Sequence, residues 1–96
     1  MSAPVYLGDE VSAAGYRLAG VRVHVPEPGT ETAALDAARA DAALVLVSAE
    51  LAARIDEVSM RAALRALAPL TLIVPDLRGL APLPDVGARL RRQLGL

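Results

Sequence analysis

The sequence has no cysteine, lysine, asparagine, phenylalanine or tryptophan, and only two tyrosines and one histidine. Without cysteine, a disulfide scaffold, a thiolate zinc site and a cysteine nucleophile are all excluded. His24 is the only histidine, so clustered histidine ligands and a Ser-His-Asp triad with a spare histidine are excluded as well. The alternating pattern around His24 favours a surface or edge position on a strand over a ligand role.

Charge of one sign is also lacking. Ten basic and eleven acidic residues give a formal net charge of -1, which argues against a charge-driven nucleic-acid binder. The longest apolar run, at 42–47, is far shorter than the roughly 20 residues of a membrane span. Met1–Pro4 show no basic stretch followed by an apolar one, so we expect a cytoplasmic chain without direct membrane insertion.

What is present is a 96-residue chain of which 54% is hydrophobic, mainly alanine and leucine. This length and composition predict one small ordered domain with a core of small side chains. Strands are predicted at Ala3–Gly8, Val21–Val25, Ala43–Val47 and Leu70–Val74, and helices at Asp9–Ala19, Thr30–Ala40, Ala49–Leu67 and Asp85–Leu94. The alternation predicts an α/β fold: a small open four-stranded parallel sheet flanked by helices, Rossmann-like or receiver-like, with a short C-terminal amphipathic helix.

The boundaries predict a sheet domain at 1–76, a loop at 77–84 and a C-terminal helix at 85–96 that can dock or undock. In the first helix, Val11, Ala14 or Gly15, and Leu18 are predicted to face the core. In the third, the predicted core stripe is Leu51, Ile55, Val58 and Ala62, extended by Leu64 and Leu67. Ser12 or Asp9 is expected to cap the first helix, and Ser48 stands where the N-cap of the third is expected.

Ligands of open α/β sheets bind at the carboxyl ends of the strands. Asp9 and Glu10 there resemble the acidic cluster of a receiver domain, but Ser48 replaces its acceptor aspartate and Pro75 its lysine. Phosphoryl transfer would lack both nucleophile and cation, so a capping role for Asp9-Glu10 fits better. A degenerate receiver-like interaction module and a small enzyme using Asp9, Glu10 or Ser48 remain alternatives, and no glycine-rich nucleotide-binding motif is present.

The C-terminal helix carries a narrow apolar stripe and a basic cluster. The stripe is Val86, Leu90 and Leu94, and the cluster is Arg89, Arg91 and Arg92. A ten-residue helix of this kind is marginal alone, so these six residues are a candidate partner interface. No aromatic residue lies nearby to stack on a base, which counts against single-stranded nucleic acid. We predict no catalytic residue, metal or cofactor.

Two segments carry a family resemblance. Gly8-Asp9-Glu10 followed by Gly15-Tyr16-Arg17-Leu18-Ala19-Gly20-Val21, and the strand at 42–48 followed by Glu50-Leu51-Ala52, resemble the F subunit of the V-type and archaeal-type rotary ATPases. Tyr16 stands where phenylalanine is usual in that family. The matching motif residues, expected to have structural roles, are Gly8, Asp9, Gly15, Tyr16, Leu18, Ala19 and Gly20.

The resemblance implies a non-catalytic rotor component of the central stalk. Its sheet domain would sit beside the shaft, and its C-terminal helix would lie along the coiled coil of the axle, which is the D subunit of these complexes. ATP would be hydrolysed or made by the A and B subunits of the headpiece, coupled to proton or sodium transport. The chain would then reach the membrane periphery only through the complex, with no nucleic-acid partner.

Overall fold

The computed structural model describes residues 3–75 and 91–95, which contain one parallel sheet with helices on both faces. The strands are β1 (Val5–Leu7), β2 (Arg22–His24), β3 (Leu44–Ser48) and β4 (Leu70–Val74). The helices are α1 (Glu10–Leu18), α2 (Glu31–Asp41), α3 (Ala49–Ala52) and α4 (Glu57–Arg65), and residues 91–94 form one further helical turn. The predicted fold class is confirmed.

The spatial order of the strands is β2-β1-β3-β4, and every pairing is parallel. From β1 the chain adds β2 on one side and then crosses to add β3 and β4 on the other side. The boundary between β1 and β3 is therefore a topological switch point, where α/β proteins open a crevice. β3 lies between two strands and is almost wholly buried, as its continuous apolar run predicts. β2 is an edge strand, which places His24 at the exposed edge as predicted.

The two faces of the sheet have separate cores. On one face, Leu35 of α2, Leu51 of α3 and Met60 of α4 pack against Val45 and Val47. On the other face, Tyr6, Tyr16 and Leu46 form a smaller cluster with Ala13, Ala19 and Val21. Large side chains on β1 and β3 thus alternate between the two clusters, because successive residues of a strand point to opposite faces.

The long helix predicted at 49–67 is wrong, because the chain forms two helices there. The Asp56 carboxylate accepts hydrogen bonds from the Ser59 amide and hydroxyl, both at 3.0 Å, and so begins α4 as an N-cap. These bonds also hold the pKa of Asp56 below its usual range. The break turns the predicted core residue Val58 outward, to 72% exposure, while Met60 and Ala63 are buried.

The predicted core face of α1 is wrong at Val11 and Leu18, although Gly15, one of its two alternatives, is buried. Val11 is 55% exposed and Leu18 is 45% exposed, whereas Ala13 and Tyr16 are buried. The helix is rotated so that the Tyr16 ring lies on the Tyr6 ring of β1, with the two ring centroids 4.1 Å apart. The larger aliphatic residues of α1 are consequently left on its outer surface.

Candidate protein-protein interface

The polar groups at the carboxyl ends of β1 and β3 are occupied by helix capping. The Asp9 carboxylate accepts a hydrogen bond from the Ser12 amide at 2.8 Å, and the Ser48 hydroxyl accepts one from the Leu51 amide at 3.1 Å. Glu10 lies on the surface and approaches Arg17 at 4.0 Å. Of the three side chains considered for an enzymatic crevice, Asp9 and Ser48 therefore satisfy amides in the first turns of α1 and α3, whereas Glu10 does not.

A capping role for Asp9 has a testable consequence for stability. Asparagine is as good an N-cap as aspartate, so Asp9→Asn should leave the free energy of unfolding within about 0.5 kcal/mol of wild type. Asp9→Ala removes the acceptor and should lower it by about 1 kcal/mol. Urea unfolding followed by circular dichroism measures both, and an Asn variant as unstable as the Ala variant would contradict the capping role.

The motif residues that carry the resemblance surround the two tyrosines. The ring centroids of Tyr6 and Tyr16 are 4.1 Å apart with planes 15° from parallel, and both side chains are almost fully buried. Gly8 follows β1 directly above this pair, where a Cβ atom would collide with the Tyr6 phenol ring. A side chain at this position is thus excluded by the tyrosine stack.

The motif residues at the C-terminus of α1 form the hydrogen bonds that end the helix. The Ala19 and Val21 amides both donate to the Tyr16 carbonyl, at 3.0 and 3.1 Å, and the Gly20 amide donates to the Arg17 carbonyl at 3.1 Å. Gly20 has a φ of 89°, which glycine adopts without strain, and it ends the helix as predicted. Gly15 and Ala19 are buried, while Leu18 projects outward.

The C-terminal turn lies against the end of α1. The Arg91 guanidinium donates to the Leu18 carbonyl at 2.6 Å, and Leu94 packs on the cluster that contains the two tyrosines. Arg91 and Arg92 are exposed. A cation at this carbonyl is favourable because the last carbonyls of a helix carry its negative end. Val86, Arg89 and Leu90 of the candidate interface lie outside the described residues.

Arg39 is a structurally important residue that sequence reasoning missed. Its Nη1 atom donates to the Thr71 hydroxyl at 2.6 Å, to the Pro69 carbonyl at 3.1 Å and to the Ala63 carbonyl at 3.3 Å. It therefore joins α2 to the end of α4 and the start of β4. The sequence did offer a way to identify it, because Arg39 is four residues after the apolar Leu35 and therefore lies beside the buried side of α2.

The part of the chain that the structure describes shows no group of three or more His, Cys, Asp or Glu residues able to hold a metal ion. An open groove of about 320 Å³ lies between β2 and α2, floored by alanines and bounded by the 2.9 Å ion pair of Arg22 and Asp41. Among the motif residues, Gly8, Gly15, Tyr16 and Ala19 are buried, whereas Leu18 and Gly20 are exposed.

Comparison with known proteins gives one finding. The family model described as the ATP synthase (F/14-kDa) subunit matches residues 5–89. No curated protein matches the chain, and no solved structure does. The matched range includes the whole sheet and the Gly8–Gly20 motif region.

Proposed function

Because the chain belongs to the ATP synthase (F/14-kDa) subunit family, we propose that it is the non-catalytic F subunit in the central stalk of a V-type or archaeal-type rotary ATPase or ATP synthase. In this role it binds the axle, which is the D subunit, and couples ATP hydrolysis or synthesis in the A and B headpiece to ion transport. The observation that carries the proposal is the family match over residues 5–89.

The polar side chains of the domain support a non-catalytic role. The Asp9 and Ser48 oxygens are engaged with backbone amides, and among the arginines that the structure describes four form ion pairs with neighbouring carboxylates. Among residues 3–75 and 91–95, no helix is long and apolar enough to cross a membrane. The chain would accordingly reach the membrane periphery through its complex.

The proposed contact with the axle is the C-terminal helix, with Val86, Arg89, Leu90, Arg91, Arg92 and Leu94 as its interface residues. Leu94 packs on the tyrosine cluster, so in this arrangement it fixes the turn to the sheet domain. Arg91 and Arg92 are both exposed, and Arg91 also donates to the Leu18 carbonyl at 2.6 Å. They are therefore the described residues on which the contact can be tested without disturbing the core.

The identity of the complex is tested by co-purification. The full-length chain, tagged and expressed in its native cells, should recover the D subunit and the A and B headpiece subunits in constant ratio. A well-folded chain that recovers none of them would overturn the proposal and favour the receiver-like interaction module.

The C-terminal contact is tested by reversing charge. Arg91→Glu/Arg92→Glu should weaken binding to the purified D subunit by about tenfold or more, because two favourable charge contacts become repulsive. Arg61→Glu/Arg65→Glu changes the charge equally on the exposed side of α4 and should alter the Kd by less than about twofold. Equal Kd values for the two double variants would remove the C-terminal turn from the interface.

A further inference from the structure

α1 carries an apolar stripe on its solvent side, formed by Val11, Ala14 and Leu18. Val11 is 55% exposed, Leu18 is 45% exposed and Ala14 is half-buried. The spacing of three and four residues puts the three side chains on one line along two helical turns, about 10 Å long. The opposite side of the helix, with Ala13 and Tyr16, is already buried against the sheet.

Within residues 3–75 and 91–95, the two core clusters do not include this stripe. Leu18 is part of the motif that sequence reasoning assigned to structural roles, yet nearly half of its surface is in water. Gly20, Ala19 and Tyr16 of the same motif each have an evident internal role. Val11 and Leu18 thus belong to the large apolar side chains that the fold leaves exposed, a group that also includes Val58 and Leu64 of α4 and Leu70, Leu72 and Ile73 of β4.

Charges are arranged unequally along the stripe. At the Leu18 end, Arg17 is exposed and only approaches Glu10, at 4.0 Å, which is a weak surface pair. Arg91 is held at the same end by its 2.6 Å hydrogen bond to the Leu18 carbonyl, and Arg92 is next to it in sequence. At the Val11 end the exposed charge is Glu10. The end of the stripe at Leu18 is therefore basic.

We propose that this outer stripe docks one α-helix of a partner protein. The partner helix has its own apolar stripe, with acidic side chains beside Leu18. The inference rests on the proposed function, since the occupant is then a helix of the axle coiled coil. A narrow line of aliphatic residues with flanking charges is the form in which helices pair in coiled coils, with apolar contacts for affinity and charges for register.

Charge complementarity favours this occupant over a second copy of the chain. Two α1 helices packed antiparallel would place Glu10 of each copy beside the basic end of the other. One glutamate would then face Arg17 together with Arg91 and Arg92, leaving positive charge unbalanced. An acidic helix matches the whole basic end. The stripe is also continuous with the C-terminal turn, so one partner helix can contact both.

The test compares two matched double variants of the full-length chain. Val11→Glu/Leu18→Glu alters the stripe. Val58→Glu/Leu64→Glu makes the same substitutions on α4, which has the same length as α1 and also begins after an aspartate N-cap. Val58 and Leu64 are 72% and 43% exposed. Isothermal titration calorimetry with the purified D subunit gives the Kd of each variant, and circular dichroism checks folding.

The stripe variant is expected to bind about tenfold or more weakly than wild type, and the α4 variant within about twofold of it. If the stripe variant binds the D subunit as tightly as wild type does, the inference is overturned. The proposed function is still supported in that case, because the wild-type chain binds the D subunit. Equal weakening of both variants, or a change confined to self-association by sedimentation, also overturns it. If wild type itself does not bind, the proposed function fails first. Val11→Ser/Leu18→Gln replaces the stripe variant if the glutamates unfold it.

Discussion

Replacing Tyr16 with alanine is expected to lower the free energy of unfolding by about 3–5 kcal/mol. Tyr16 is 1% exposed and stacks on Tyr6 at 4.1 Å, so its removal leaves a cavity in the smaller of the two cores. For a chain of this size the expected loss lowers the Tm by more than about 10 °C. Thermal and urea unfolding measure it, and a loss below about 1 kcal/mol would contradict the importance of the stack.

The matched control is Tyr16→Phe, which keeps the stacked ring. It removes only the hydroxyl, which donates to the Pro75 carbonyl at the long distance of 3.4 Å. We therefore expect a change of less than about 1 kcal/mol. The family resemblance, in which phenylalanine is usual here, is consistent with this expectation.

The free energy of unfolding should depend on pH differently in wild type and in Tyr16→Phe. Burial, and secondarily the neighbouring Tyr6, raise the pKa of Tyr16 above its ordinary value. The unfolded chain ionises first, at about pH 10, so the unfolded state binds fewer protons than the folded one above that pH. The stability of wild type should therefore fall as pH rises above about 10, and the fall should be smaller in Tyr16→Phe.

Replacing Arg39 with alanine is expected to lower the free energy of unfolding by about 2–3 kcal/mol. The change removes the charged donor that serves the Thr71 hydroxyl and the carbonyls of Pro69 and Ala63. The Thr71 side chain is 2% exposed, so water cannot fully replace the lost bond. Urea unfolding of the variant measures the effect.

The control for Arg39 is Arg61→Ala. Arg61 forms a short 2.6 Å ion pair with Glu57, but both side chains are mostly in water. Surface pairs of this kind contribute about 0.5 kcal/mol or less. A loss at Arg39 no larger than the loss at Arg61 would contradict the proposed link between α2, α4 and β4.

Local patterns predicted the four strands and their parallel pairing, but not their spatial order. The strand predicted at Leu70–Val74 is the observed β4, residue for residue. The prediction for β3 was one residue too early in the sequence. The parallel pairing of the strands follows from the alternation of strands and helices. The capping roles of Asp9 and Ser48 were predictable too, because capping depends on residues three apart in sequence.

Which face of a helix is buried depended on contacts distant in sequence. The periodicity of α1 offers two stripes, one with Val11 and Leu18 and one with Ala13 and Tyr16. Stacking on Tyr6 of β1 selects the second, and no local rule specifies that choice. The break between α3 and α4 likewise depends on competition between Asp56 as a cap and a continuous helix through it.

The interface residues stay a prediction from the sequence. Arg91, Arg92 and Leu94 were identified from the basic and apolar pattern of the final helix. The structure adds that Arg91 lies on the Leu18 carbonyl and thereby joins this region to α1. The exposed stripe of α1 could be identified only after the fold had assigned the other side of that helix to the core.

The central claim is that this chain is a stalk component bound to an axle. Mixing the purified full-length chain with the purified D subunit and measuring sedimentation velocity tests it most directly. The account predicts a single 1:1 complex at micromolar concentration, with no free chain when the D subunit is in excess. Two separate species at their individual sedimentation coefficients, with both proteins folded by circular dichroism, would contradict it.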